Sequence, residues 1–321
     1  MAVSARRKRV LLVDYSQTSQ LRDLATHLMA PLRADPAVEV VVLRLVPRQA
    51  YPYPWPFWRF LDAFPESAHM VAPELEPLAL TGDEVFDLVI LPWQVWYLAP
   101  SLPITAFLCD PVAQRVLRGK PVVSVIACRN MWLLAFDKFT RLLADSGARL
   151  IDNVVYTDPG PALATFITTP RWLLTGRRGA MWGMPAAGLN PAQISGAARF
   201  GHALRAALHA GRECGDAPML AGLGAVKVDP RLYISEKVGT RSFFLWGKLL
   251  RAAGPPGAPQ RVPLLAVYAV FLVTMIVTVV PVSLTLQKLT RPFAQGWLNR
   301  IRQHYEKPSG SERDRLGDHD H

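Results

Sequence analysis

An α/β fold with a doubly wound, mainly parallel five-stranded sheet is what this sequence predicts for its first two-thirds. Three observations carry that expectation. Apolar, β-branched runs of strand length recur along the chain, amphipathic helical stretches alternate with them, and the first run passes through a hydroxyl-rich turn into a helix. One later stretch stands outside the pattern. Val262 to Gln287 has no charged residue, and its 26 positions reach roughly 39 Å as a helix, enough to cross a hydrocarbon core of about 30 Å.

Composition narrows the classes. With 321 residues, half of them hydrophobic, the chain can bury a sizeable core. Its net charge of +11 is spread over residues 6–9, Arg171 to Arg178 and both flanks of the uncharged run. No zinc-finger spacing or RNA-binding signature goes with it, which sets nucleic acid aside; basic residues beside an apolar helix suit anionic lipid. Cys109, Cys128 and Cys214 form no close pair, which argues against a disulfide framework or a metal site and for a reducing compartment. The N-terminus is basic without an apolar stretch of secretory length, because Val10 to Val13 breaks at Asp14. The first domain is therefore expected in the cytosol.

The elements follow in order. Val10 to Val13 is the first strand, and a helix opens at Leu21 with Leu21, Leu24, Ala25, Leu28 and Leu32 on one face. The turn between them, Tyr15-Ser16-Gln17-Thr18-Ser19-Gln20, lies where parallel sheets bind ligands. Backbone amides and hydroxyls there would cradle a phosphate without a cationic side chain; a plain hydroxyl-rich N-cap is the other reading. Val38 to Val46 is the second strand, followed by an insertion over 48–83 that opens with Tyr51-Pro-Tyr-Pro-Trp-Pro-Phe-Trp-Arg-Phe60. That insertion caps the ligand site, touches lipid, or packs on its own domain. Phe86 to Leu91 is the third strand, running into a loop with Trp93, Gln94, Val95, Trp96 and Tyr97, whose aromatics stack on a flat ligand or fill core. A helix starts at Ile104. Lys120 to Ala127 is the fourth strand, leaving through Cys128-Arg129-Asn130-Met131-Trp132 to a helix that ends at Gly147. Leu150 to Thr157 is the fifth, and after a second insertion, 159–188, a helix over Pro191 to Ala210 closes a domain of residues 1–211. A Gly/Pro-bearing connector (212–261), a transmembrane helix (262–287) and a basic tail (288–321) complete the chain. In the tail Phe293, Trp297, Leu298 and Ile301 among arginines suit an interfacial helix. Asp14 and Asp158, at strand ends, bind metal, move protons, or simply cap and solvate.

The turn after the first strand resembles the flavodoxin phosphate loop, roughly [Ser/Thr]-x-Thr-Gly-x-Thr: Ser16 and Thr18 match, Ser19 replaces the glycine, and Leu21 stands where threonine is common. Pro103 to Phe107-Leu108 is similar to the end of the third-strand loop in the quinone-reductase branch, and Ala197 to Leu204 resembles the closing helix. The resemblance implies sheet order 2-1-3-4-5 and FMN, its phosphate held by Ser16, Gln17, Thr18, Ser19 and Gln20. Trp93 to Tyr97 with Cys128, Arg129, Asn130 and Trp132 would frame the ring. It further implies an oxidoreductase taking electrons from NAD(P)H or a protein and passing them to a lipid-soluble acceptor. Over most of its length the chain resembles a bacterial family labelled "dialkylresorcinol condensing enzyme", associated with aryl-polyene and resorcinol lipids. Motifs shared with it include Tyr51 to Trp58, Ala127 to Trp132 and Gly222 to Arg231. Acyl condensation would rest on Cys128, yet none of the seven histidines sits in a recognisable Cys–His–Asn setting. No catalytic residue is assigned, and no metal. The expectation is a single-pass inner-membrane protein with its soluble domain in the cytoplasm; a non-enzymatic membrane scaffold and a homodimer stay open.

Overall fold

Strands that are apolar on both faces need helices on both sides. The structure, a computed structural model describing residues 6–290 and 294–318, has β1 (Lys8–Asp14), β2 (Val38–Arg44), β3 (Leu88–Trp96), β4 (Ala99–Pro100), β5 (Pro121–Cys128) and β6 (Arg149–Thr157). The order is β2-β1-β3-β5-β6, all parallel, with β4 antiparallel on β3. This corrects the expected five strands in order 2-1-3-4-5. The difference is a two-residue strand after β3 that no apolar run announces. Its turn places Tyr97 and Leu98 both in the left-handed region, φ 48° and 59°. Such a turn follows the twist of a hairpin, at roughly 1–3 kcal/mol for each non-glycine residue.

β3 also runs past the expected Leu91. Pro92 is tolerated there because the last β1–β3 pair is Leu12 with Ile90, and beyond it β3 pairs with β5 as far as Gln94 and with β4 from Val95. The strand order fixes the layers. The β1–β2 crossover carries α1 (Gln20–Arg33), whereas the β3–β5 and β5–β6 crossovers run in the opposite direction across the sheet. Right-handed connections therefore put α4 (Leu102–Cys109), α5 (Pro111–Leu117) and α6 (Leu133–Asp145) on the other face. The closing helix is two pieces, α8 (Pro191–Ser195) and α9 (Ala198–His209), and α9 packs on α1. A Cβ at Gly201 would stand 2.0 Å from the Leu28 carbonyl oxygen, so only glycine allows this approach. The insertions carry α2 (Phe57–Asp62) and α3 (Phe64–Ala68) in the first and α7 (Ala162–Thr175) in the second.

Two expectations for the C-terminal third are corrected. The connector contains a 21-residue helix, α10 (Leu232–Ala252), whose period is masked by Lys237, Arg241 and Lys248 among its apolar residues. The tail is not a free interfacial helix. In α12 (Gln295–Tyr305), Ile301 and Tyr305 are buried on the α/β domain, and Tyr305 Oη donates to Asp137 at 2.6 Å. Further on, Ser309 Oγ donates to buried Asp152 at 2.7 Å and accepts from Asn153 N–H at 2.8 Å. Phe293 and the side chains of the apolar run from 279 lie outside the described residues. Between α10 and α12, α11 (Arg261–Thr290) starts inside the fold. Arg261, 1% exposed, makes a fork onto Glu66 (2.7 and 3.1 Å) and reaches Asp62 at 3.1 Å.

Candidate functional site

A cavity of about 230 Å³ opens at the carboxyl edge of the sheet, bounded by the β1–α1 turn, the ends of β3 and β5, and both insertions. The insertions meet over it. Trp55 N–H donates to the Leu173 carbonyl at 2.8 Å, tying the Pro-rich aromatic stretch to α7. Of the three readings of the first insertion, the cap is the one observed for Trp55 and Phe60, which line the cavity.

The β1–α1 turn supplies Gln17, Thr18 and Gln20 to the lining. Ser16 Oγ is buried and has no hydrogen-bond partner among the described residues. Gln17 Nε2 donates to the Pro52 carbonyl at 3.0 Å. Ser19 caps nothing with its side chain; it sits left-handed at φ 61°, a conformation in which its Cβ costs roughly 1–2 kcal/mol relative to glycine. Gln20 lines the cavity with its side chain already held. Its carboxamide is fully engaged with Leu189, donating to the carbonyl at 3.1 Å and accepting from N–H at 2.9 Å, so the side chain is not free for a phosphate. Gly188 makes that lock possible: at φ 77°, a Cβ there would come within 2.5 Å of Gln20 Oε1 and 2.8 Å of the Trp172 ring.

From β3, Gln94, Val95 and Trp96 line the cavity with Tyr97 of the following turn, and Gln94 Oε1 is buried without a partner among the described residues. Trp96 meets Tyr51, Trp55 and Tyr15 edge to face at 5.0, 5.8 and 6.2 Å. Burial pushes the Tyr15 and Tyr51 phenols up, Tyr51 to about 12, so both stay neutral at ordinary pH. Tyr97 Oη donates to the Phe60 carbonyl. Trp93 is a correction: it is fully buried, donates to Ser124 Oγ at 2.8 Å and stacks on Phe139 at 4.8 Å. It touches core, not cavity.

Cys128 and Arg129, at the exit of β5, line the cavity. Burial pushes the Cys128 thiol far up, with Glu236 adding to the shift, and among the described residues no histidine lines the cavity. The thiol is therefore not an activated nucleophile. Arg129 lies 3.9 Å over the Phe166 ring and makes no ion pair among the described residues. Burial lowers its pKa to about 10, which leaves it cationic at neutral pH. The neighbouring Asp158 is committed elsewhere, accepting from Gly160 N–H at 2.8 Å and Gly188 N–H at 2.6 Å. Asp14 is likewise committed, to Arg22 at 2.9 Å and Arg44 at 3.5 Å. Asn130 is outside the lining, with its Oδ1 buried and unpartnered among the described residues. Trp132 is a second correction, buried against Phe136 and Tyr305.

Sequence reasoning missed Thr169, Trp172 and Leu173, which line the cavity from the second insertion, and Leu189, which lines it just after. The signal was present as Thr169-Pro-Arg-Trp172, a proline and an aromatic inside a helical stretch. Nothing local says that α7 folds back over the sheet. Thr169 Oγ1 joins the buried hydroxyl and amide oxygens without a partner among the described residues.

No protein-family model matches the chain, and no curated protein matches it. Among solved structures it is similar to a flavoprotein from Lactobacillus acidophilus NCFM in complex with FMN, at 16% identity over 46% of this chain and 93% of that one, TM-score 0.36. It is also similar to the two-electron reduced flavodoxin of Megasphaera elsdenii, at 16% identity over 46% of this chain and 84% of that one, TM-score 0.28. Likenesses this distant carry no argument about ligand or activity.

Proposed function

We propose that this chain is a membrane-associated, flavodoxin-like FMN protein. It takes electrons from NAD(P)H or a reduced protein and passes them to a lipid-soluble acceptor, a quinone or an intermediate of the aryl-polyene and dialkylresorcinol type. The observation that carries the reading is chemical: among the described residues, one cavity at the carboxyl edge combines an aromatic wall, a guanidinium in no ion pair (Arg129, set over Phe166), and Gln94 and Thr169 oxygens that lack partners. That set fits a flat, anionic cofactor. The α1 amides, Ser16 and Thr18 would hold the phosphate, the helix dipole adding to the attraction. Trp96 and Trp55 would bound the ring, and Arg129 would favour negative charge on it. FMN would supply the redox chemistry; the chain binds, orients and keeps water out. A cytoplasmic position at the inner membrane belongs to the same reading.

The engagement of Gln20 with Leu189 and the left-handed Ser19 favour one alternative, a flavodoxin-fold scaffold with a closed site. An absorption spectrum of detergent-purified protein, with any released cofactor identified, separates the two. Titrating FMN by fluorescence quenching then tests the loop. Thr18→Ala removes one hydrogen bond to a charged group, about 1.5–3 kcal/mol, and should weaken FMN roughly tenfold to over a hundredfold. Absence of flavin binding in the wild type, or unchanged affinity in Thr18→Ala, supports the scaffold.

A further inference from the structure

We infer that α10 and α11 form a docking face for an anionic lipid surface, and that α11 lies along the bilayer and does not cross it. This deepens the membrane part of the proposed function and is independent of the flavin. The topological argument comes from the two ends of α11. Its first residue, Arg261, is buried in the fork to Glu66 and Asp62. Only four residues separate its last residue, Thr290, from α12, whose Tyr305 is buried against the domain, and Ser309 follows inside the core beside Asp152. Both ends therefore belong to the same side of any membrane. A 30-residue helix measures about 45 Å, so crossing a core of about 30 Å would carry α12 to the far side. That would pull Tyr305 from Asp137 and Ser309 from Asp152, leaving the Asp152 carboxylate with two partners, the Met219 and Leu220 amides.

The outward faces state the partner. On α10, Ile234, Val238, Leu245 and Leu249 are exposed and fall on one stripe at helical spacing. Lys237, Arg241 and Lys248 are exposed beside that stripe, and the helix's one acidic residue, Glu236, is buried on the opposite side. On α11, exposed Val262, Val270, Val273 and Val277 face away from buried Arg261, Leu265 and Tyr268. An apolar stripe edged by cations with no exposed carboxylate is complementary to anionic headgroups over acyl chains. A second copy of this chain would bring the same cations against themselves.

The tests use the full chain. Sedimentation with vesicles of phosphatidylcholine, alone or mixed with phosphatidylglycerol, should show tighter binding to the mixture. The triple variant Lys237→Glu, Arg241→Glu, Lys248→Glu should lose about a hundredfold or more of that affinity. For topology, Asp83→Cys on the domain and Gln303→Cys on α12 are each placed in a Cys109→Ser, Cys214→Ser background and labelled with an impermeant maleimide in sealed membranes. Both should label from the same side. Labelling from opposite sides overturns the in-plane arrangement while leaving membrane association standing. No binding to either vesicle overturns the inference together with the membrane reading. If Leu245→Ser, Leu249→Ser instead abolishes a concentration-dependent dimer in a protein that ignores vesicles, the face joins copies and the inference is wrong. The labelling uses exposed sites alone, so it decides the question even if the charge variant fails to fold.

Discussion

Trp93 and Trp96 lie three residues apart on β3 and do opposite work. An odd spacing on a strand sends them to opposite faces. Trp93 goes to the face covered by α6, where it stacks on Phe139 and its indole N–H meets Ser124. Trp96 goes to the cavity and gathers Tyr15, Tyr51 and Trp55 around it. Residue type is shared; the side of the pleat decides. In the loop after β5 a similar split occurs with no pleat to set it, Arg129 lying in the cavity and Trp132 in the core.

The largest test of that contrast is Trp93→Ala. Removing a fully buried indole should cost about 3–5 kcal/mol in denaturant unfolding, while the folded fraction keeps its FMN affinity. A large loss of flavin binding at unchanged stability would reverse the two assignments. On the core side a buried acid extends the contrast to pH. Glu236 is buried with Oε2 accepting from Leu134 N–H at 2.8 Å, and burial raises its pKa from 4.5 to about 7. A raised carboxyl pKa means that the folded state holds the proton longer. Stability from this group is full below pH 4.5 and falls as pH rises through about 7, by up to about 3 kcal/mol. Glu236→Gln should flatten that part of the stability–pH curve; an unchanged slope would assign it elsewhere. On the cavity side Trp96→Leu should weaken FMN about threefold to tenfold, through lost ring contacts, with a smaller effect on unfolding than Trp93→Ala. Smallest is Ser19→Gly, which relieves the left-handed backbone and should stabilise the fold by about 1 kcal/mol in thermal unfolding. FMN affinity should hold or rise, because the backbone amides are kept.

Much of the sheet was legible because its signals are local. Val10 to Val13, Val38 to Val46 and Lys120 to Ala127 are largely apolar runs, and the strands β1, β2 and β5 form over them with ends shifted by up to two residues. The turn at Ser16 to Gln20 was legible as a ligand position because a parallel strand followed by a helix always opens at that edge. β4 escaped because two residues carry no period, and its turn uses Tyr97 and Leu98 where glycine or asparagine would announce it. The split between Trp93 and Trp96 escaped because β3 was ended at Leu91, and the pleat assigns sides only within a strand.

Sequence by itself determined the alternation of strands and helices, the hydroxyl turn at the sheet edge and the uncharged length of α11, since each is a property of neighbouring residues. Tertiary structure alone decided the rest. It brought Trp55 to Leu173 across more than a hundred residues, locked Gln20 onto Leu189, and buried Arg261, Tyr305 and Ser309 against the domain from both sides of α11. The physical reason is that periodicity reports which face of an element is apolar. It does not report what covers that face, and for α12 the cover is the α/β domain itself, where Ile301 and Tyr305 are buried.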